Sequence, residues 1–309
     1  MENRYVLVTG ASTGIGYELA KLFAKNGHNL IIVARAEGDL NKAAAEFESE
    51  GVAVFPMIKD LFEPKAPFEL YEEIKSKGLT VDILVNNAGQ GEYGTFIDTD
   101  IERQLSIIQL NIASLTALTH LFLKDMVARN QGKILQLASI GSNFPGPYQS
   151  VYHATKSYVL SFTEALVNEL KDTDVTITAL QPGVTDTDFF NKAGAQNSKL
   201  VEDKSKMADP AKVAKDGFEA LMKGKDKIVS GLKNKTMVGM SHMMPDTLKA
   251  EQIRMMSKEQ DDTDSKSKSL TLPVLSTLLL AGLGASLWYV SNKNKATSLI
   301  DEITETAKV

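Results

Sequence analysis

From Arg4 to about Ser230 the chain alternates short apolar runs with longer stretches of helical periodicity. Residues 5–8, 30–34, 52–57, 83–86, 133–138, 176–180 and 227–230 are apolar without regular polar alternation. Such runs predict strands buried on both faces of a parallel sheet. Between them, apolar residues recur at helical spacing over 14–26, 39–51, 67–77, 100–130, 152–170 and 210–223. The last of these starts with Asp209 as N-cap and Pro210 in the first turn, a residue pair suited to a helix start. Strand–helix–strand repetition of this kind predicts an α/β domain, a doubly wound parallel sheet of about seven strands with helices on both faces.

Past Ser230 the pattern changes. Residues 231–256 read as helix and carry six of the eleven methionines, for which plain packing is the preferred reading. Residues 257–269 contain no apolar side chain and read as a polar linker. Residues 270–290 then run 21 positions without a charge, about 31 Å as a helix and enough to cross a hydrocarbon core of roughly 30 Å. Trp288 and Tyr289 stand where an interfacial aromatic belt belongs, and Gly282-x-x-x-Ser286 allows close helix approach. A buried or interfacial helix is the alternative, because Thr271, Pro273 and the glycines dilute the hydropathy. The expected organisation is a catalytic domain over 1–256, the linker, a transmembrane helix over 270–290 and a polar tail over 291–309. Lys258, Lys266 and Lys268 before the span outnumber Lys293 and Lys295 after it. That bias places the large domain on the cytoplasmic side of a membrane.

Composition narrows the chemistry. The chain has 309 residues and a net charge of −5, which argues against nucleic acid as its partner. It has no cysteine, so disulfides, thiolate metal sites and cysteine nucleophiles are excluded. The four histidines stand far apart without metal-ligand spacing, and no metal is expected. The opening Met1-Glu2-Asn3-Arg4 does not read as a secretory leader.

The first strand ends in Thr9-Gly10-Ala11-Ser12-Thr13-Gly14-Ile15-Gly16, immediately before a helix. Glycines there let a pyrophosphate approach the helix N-terminus, where free N–H groups favour an anion. With the strand over 30–34 completing the unit, a dinucleotide site of Rossmann type is expected. A carboxylate closing the second strand would hold the ribose of NAD, but Arg35 stands there instead. Its guanidinium suits a 2′-phosphate, so NADP(H) is favoured. NAD(H) stays open if Glu37 or Asp39 reaches back.

Tyr152 and Lys156 lie one helical turn apart, which puts phenol and ammonium on the same face. A nearby cation would lower the phenol's pKa and suit it to proton exchange with an alcohol or carbonyl oxygen. Tyr17/Lys21, Tyr71/Lys75 and Tyr289/Lys293 show the same spacing, so spacing alone does not single out Tyr152.

The surrounding motifs do. Thr9–Gly16 together with Asn86-Asn87-Ala88-Gly89 and Ser139…Tyr152-x-x-x-Lys156 resembles the short-chain dehydrogenase/reductase superfamily, in its single-domain branch, over residues 5–230. The resemblance implies a catalytic set of Asn111, Ser139, Tyr152 and Lys156. Ser139 would orient the substrate oxygen, Tyr152 would exchange the proton and Lys156 would lower the tyrosine pKa and bind ribose. Asn111 would hold a relay water. It further implies cofactor contacts from Thr9, Gly10, Ser12, Thr13, Gly14, Ile15 and Gly16 in the glycine loop. Asp60 would serve adenine, Asn87, Ala88 and Gly89 the pocket wall, and Pro182, Gly183 and Thr187 the nicotinamide. A homodimer or homotetramer through the helices over 100–130 and 152–170 is implied as well. By analogy, residues 188–208 would form a lid, with 90–95 and 144–149 at the same mouth. The expected activity is an NADP-dependent carbonyl reductase or alcohol dehydrogenase acting on a small, lipophilic ketone or secondary alcohol. The rival reading is a nucleotide-binding scaffold or redox sensor without turnover. An epimerase or dehydratase of the sister branch fits the glycine spacing less well.

Overall fold

The first strand, β1 (Arg4–Thr9), shows how the sheet is built. Its Val6 and Val8 pack into one core layer, and Tyr5 and Leu7 into the other. Successive strand side chains point to opposite faces, so a run that is apolar throughout must be covered on both. The computed structural model describes residues 4–258, which fall within one compact unit.

The sheet joins β1, β2 (Asn29–Ala34), β3 (Val54–Ile58), β4 (Thr80–Asn86), β5 (Gly132–Leu137), β6 (Val175–Gln181) and β7 (Lys227–Val229). All pairings are parallel, in the order β3-β2-β1-β4-β5-β6-β7. Both edges suit their place. β3 carries the exposed Pro56, a residue without an N–H for the ladder, and β7 is only three residues long. Helices α1 (Gly14–Lys25) and α2 (Glu37–Glu48) cover one face, while α3 (Ala66–Ser76) covers the other. The chain reverses direction across the sheet between β1 and β4, and ligands of such sheets bind in the crevice at that switch point.

Two predicted helices are broken. The run over 100–130 is α4 (Ile101–Ile108), a π-helical turn (Gln109–Ser114) and α5 (Leu115–Ala128). An inserted π-turn changes the hydrogen-bond step without disturbing the apolar pattern. The run over 231–256 is α9 (Leu232–Ser241) and α10 (Asp246–Ser257), parted at Pro245. Proline lacks the N–H for helix continuation and disfavours helical backbone before it. Between these lie α6 (Ser150–Glu169), a short α7 (Phe189–Lys192) and α8 (Pro210–Met222). Asp209 caps α8 as expected, accepting the Ala211 N–H at 2.9 Å.

Among the described residues, Ile101–Ala128 is a helical run long and apolar enough to cross a bilayer, with a mean hydropathy of 1.4 over its best window. Its Ile107, Leu110, Leu118, Phe122 and Met126 are buried, which is the pattern of a core helix. The predicted linker beyond 258, the span over 270–290 and the tail lie outside the described residues.

Candidate active site

The strand ends at the switch point bring the two sequence motifs into contact. Thr9 Oγ1 accepts the N–H groups of Asn87 (3.0 Å) and Ala88 (3.1 Å) and donates to the Val85 carbonyl. Asn87 Nδ2 donates back to the Thr9 carbonyl at 2.9 Å. The glycines are needed for this fit: a Cβ on Gly16 would lie 2.2 Å from both Asn87 Nδ2 and the Gly10 carbonyl oxygen. No side chain caps the N-terminus of α1, so its leading N–H groups face the crevice without a protein partner of that kind.

A cavity of about 580 Å3 runs from this loop to the catalytic residues. At one end stand Arg35 and Asp60, 3.4 Å apart, with the Arg35 guanidinium 4.8 Å above the Phe62 ring. Gly10, Ser12, Thr13, Gly14 and Ile15 follow along the wall, then Asn87, Ala88 and Gly89. Pro182, Gly183 and Thr187 border the far end with Ser139, Tyr152 and Lys156. Thr9, Gly16 and Asn111 are placed differently. They stand behind the wall and shape it without lining it.

The catalytic groups sit on three elements. Ser139 follows β5 and N-caps a 3₁₀ turn, accepting the Gly141 N–H at 3.0 Å. Tyr152 and Lys156 lie in the first turns of α6, and the Ser139 hydroxyl stands near enough to the Tyr152 phenol to lower its pKa. Lys156 Nζ is 5.8 Å from the Tyr152 ring centroid and donates to the Leu137 carbonyl at 2.7 Å. A Cβ on Gly89 would come within 3.3 Å of both Lys156 Nζ and Asn111 Oδ1, so a side chain there would crowd both groups.

One expectation needs correction. Lys156 was expected to lower the Tyr152 pKa. Among the protein's own groups burial dominates instead, pushing the phenol up to about 12 against a smaller lowering by Ser139. The same burial brings the Lys156 ammonium down to about 8. Asn111, expected to hold a relay water, is buried with its side chain bound to protein: it accepts the Gln90 N–H (3.0 Å) and donates to the Gln90 carbonyl (2.8 Å) and Thr155 Oγ1 (3.0 Å).

The other tyrosine–lysine pairs have different surroundings. Tyr17 donates to Glu46, and Tyr71 donates to Asp125 at 3.1 Å beside Lys75. Both phenols are anchored to carboxylates, whereas Tyr152 faces a serine hydroxyl and the cavity. Tyr289/Lys293 lies outside the described residues.

Apolar side chains surround the catalytic end. Phe189, Phe190 and Leu200 come from the expected lid and Phe144 from the expected mouth. Met237, Ile253 and Met256 arrive from α9 and α10, so part of the methionine-rich segment borders the site rather than only packing. Gln149 also lines the cavity, and its buried Nε2 has no hydrogen-bond partner. Phe62, His153 and Ile253 were not identified from sequence. They reach the site from loops and elements far away or carry no motif of their own.

Residues 4–198 match the family model described as short chain dehydrogenase. A short chain dehydrogenase of Pseudocercospora fijiensis is 30% identical over 61% of this chain and 62% of its own length. The chain thus spans under two thirds of that relative. Mouse dehydrogenase/reductase SDR family member 7B is 30% identical over 74% of this chain and 73% of its own. An NADP-dependent 3-hydroxy acid dehydrogenase of Schizosaccharomyces pombe is 34% identical over 61% and 74%. Among solved structures, a Sphingobium yanoikuyae short-chain dehydrogenase in complex with NADPH is 26% identical with a TM-score of 0.69, covering 85% of this chain and 100% of that one. A Burkholderia phymatum family member in complex with NAD shares the fold at 21% identity and a TM-score of 0.70, covering 84% and 96%.

Proposed function

The chain belongs to the short-chain dehydrogenase family of NAD(P)-dependent oxidoreductases, and within it we propose an NADP-dependent reductase of lipophilic ketones, or dehydrogenase of the matching secondary alcohols. The observation that carries this reading is the meeting of Ser139, Tyr152 and Lys156 in a cavity continuous with the glycine loop and Arg35.

The residues present fit the dinucleotide. Uncapped N–H groups of α1 beside Gly10 and Gly14 would take the pyrophosphate. Arg35, held over Phe62, would take a 2′-phosphate. Asp60 would serve the adenine, Asn87–Gly89 the central wall, Lys156 the ribose, and Pro182, Gly183 and Thr187 the nicotinamide. The cofactor supplies the hydride. Ser139 orients the substrate oxygen by a hydrogen bond, and Tyr152 gives that oxygen a proton in reduction or takes it in oxidation. A phenol held near 12 is fully protonated at neutral pH, the state reduction requires. Asn111 positions Gln90 and Thr155 around Lys156.

Phe144, Phe189, Phe190 and Ile253 favour an apolar substrate. The unpartnered Gln149 amide favours one with a second acceptor oxygen. The 3-hydroxy acid relative agrees with that chemistry. Residues 1–256 would form the catalytic domain, with 257–269 as linker and a membrane helix over 270–290 holding the domain at the cytoplasmic face. Pairing into a dimer or tetramer through α4–α5 and α6 is supported by exposed Ile101, Leu105 and Ile108 at one-face spacing and exposed Tyr158. The test is a ketone panel followed by NADPH absorbance. NADPH binding without oxidation across the panel would favour the scaffold reading.

A further inference from the structure

His153, directly after the catalytic tyrosine, has no role in the chemistry above, yet the residue is 91% buried and lines the catalytic cavity. Its Nδ1 lies 2.9 Å from the Phe144 carbonyl oxygen. Burial pushes the imidazole below its ordinary pKa, so the neutral ring donates from Nδ1 to that carbonyl. The ring packs closely against the loop backbone. A Cβ on Gly146 would lie 2.2 Å from it, and one on Gly141 3.2 Å. The segment 140–149 thus closes on the imidazole through Gly141 and Gly146.

A second recess of about 520 Å3, more open to solvent than the catalytic cavity, is bordered by Ser150, Ser157, His242, Asp246 and Lys249. Phe144 and His153 line both cavities. Phe144 is 97% buried, packed with Val238 of α9 and Ile253 of α10. These two rings therefore stand between the catalytic cavity and the space beside His242, Asp246 and Lys249.

We propose that His153, with Phe144 held by it, is the partition that sets the depth of the substrate cavity, and so is a specificity-determining residue for substrate bulk. The inference rests on the proposed reductase activity for its kinetic consequence, but not for its structural one. Removing the imidazole takes away one of the two side chains that border both spaces and releases the hydrogen bond to the Phe144 carbonyl. The enlarged cavity would take a ketone with a longer or branched arm, the arm lying toward His242 and Lys249. A residue that merely supported the fold would lower turnover of every substrate alike.

The experiment compares wild type, His153→Ala and His153→Gln on a graded series of aryl and alkyl ketones with NADPH, alongside a crystal structure of His153→Ala. The ratio of kcat/KM for the bulkiest to the smallest ketone should rise about tenfold in the alanine variant, the scale set by misfit of one or two carbons in an apolar pocket. Glutamine, which keeps both bulk and a donor, should restore the wild-type ratio. A parallel loss for all ketones overturns the proposal. So does a structure of His153→Ala in which the two cavities stay separate, a result that needs no turnover. A wild type inactive on every ketone would count against the reductase reading alone, and the crystal structure would still decide the partition.

Discussion

Lys156 Nζ donates a 2.7 Å hydrogen bond to the Leu137 carbonyl oxygen, tying the catalytic helix to the end of β5. No carboxylate offsets the burial of this ammonium, which is why its pKa falls to about 8. Between about pH 8 and 10.5 the unfolded lysine keeps a proton that the folded one has shed. The unfolded state then binds more protons, so this group makes stability rise with pH across that window. Below it, both states are protonated and the fold bears the full cost of the buried charge. Replacing Lys156 with methionine should therefore help most at pH 7, by at most about 3 kcal/mol, with the margin shrinking toward pH 10. Urea unfolding of both proteins at the two pH values reads the difference, and a margin independent of pH would reject the account.

Gln149 presents the opposite trade. Its Nε2 is buried without a partner, and an unsatisfied buried donor costs about 1–3 kcal/mol. Gln149→Leu keeps the volume and removes the donor, so it should raise the melting temperature. It should also lower kcat/KM for ketones bearing a second oxygen, leaving simple ketones near wild type. A destabilised variant, or an equal loss on both classes, would mean the amide has a partner within the fold.

Arg35 is half-exposed, lying on Phe62 and 3.4 Å from Asp60. Both contacts leave donors of its planar guanidinium for a phosphate. Arg35→Asp should raise KM for NADPH about 100-fold and shift preference toward NADH, because the new carboxylate repels a 2′-phosphate and accepts ribose hydroxyls. An unchanged ratio of the two cofactors' kcat/KM would make Arg35 a bystander.

The strands were readable because both faces of the sheet are covered, so their apolar runs stand out from the helical spacing around them. The π-turn at Gln109–Ser114 was hidden because it keeps the apolar pattern while changing the hydrogen-bond step. The break at Pro245 was available in the sequence and was overridden by the apolar residues on either side. The fates of Tyr17 and Tyr71 depend on Glu46 and Asp125, which lie 29 and 54 positions away. Local spacing holds no information about such partners. The direction of the Tyr152 shift was missed for a related reason: the Tyr-x-x-x-Lys spacing reports the neighbouring cation, while burial comes from Phe189 and the loops around it.

The membrane reading has a separate test. Deleting residues 270–309 should move the protein from the membrane fraction to the soluble fraction with ketone turnover retained. Full-length protein recovered in the soluble fraction without detergent would end the anchor proposal and leave the catalytic one untouched.

Tyr152 carries the proton step, and its surroundings define what its loss should look like. The phenol meets the Ser139 hydroxyl on one side and the Phe189 ring, at 5.0 Å between centroids, on the other. Tyr152→Phe keeps the ring packing and removes only the oxygen. Turnover should fall about 10²–10⁴-fold, the range typical of a lost general acid–base. The NADPH dissociation constant should stay within about threefold, because Lys156, Arg35 and the glycine loop are unaltered. Ser139→Ala should lower kcat with a smaller effect, since the phenol remains to donate. Fluorescence titration of NADPH and single-turnover rates separate binding from chemistry. A Tyr152→Phe enzyme keeping more than a tenth of wild-type kcat would show that the proton comes from elsewhere.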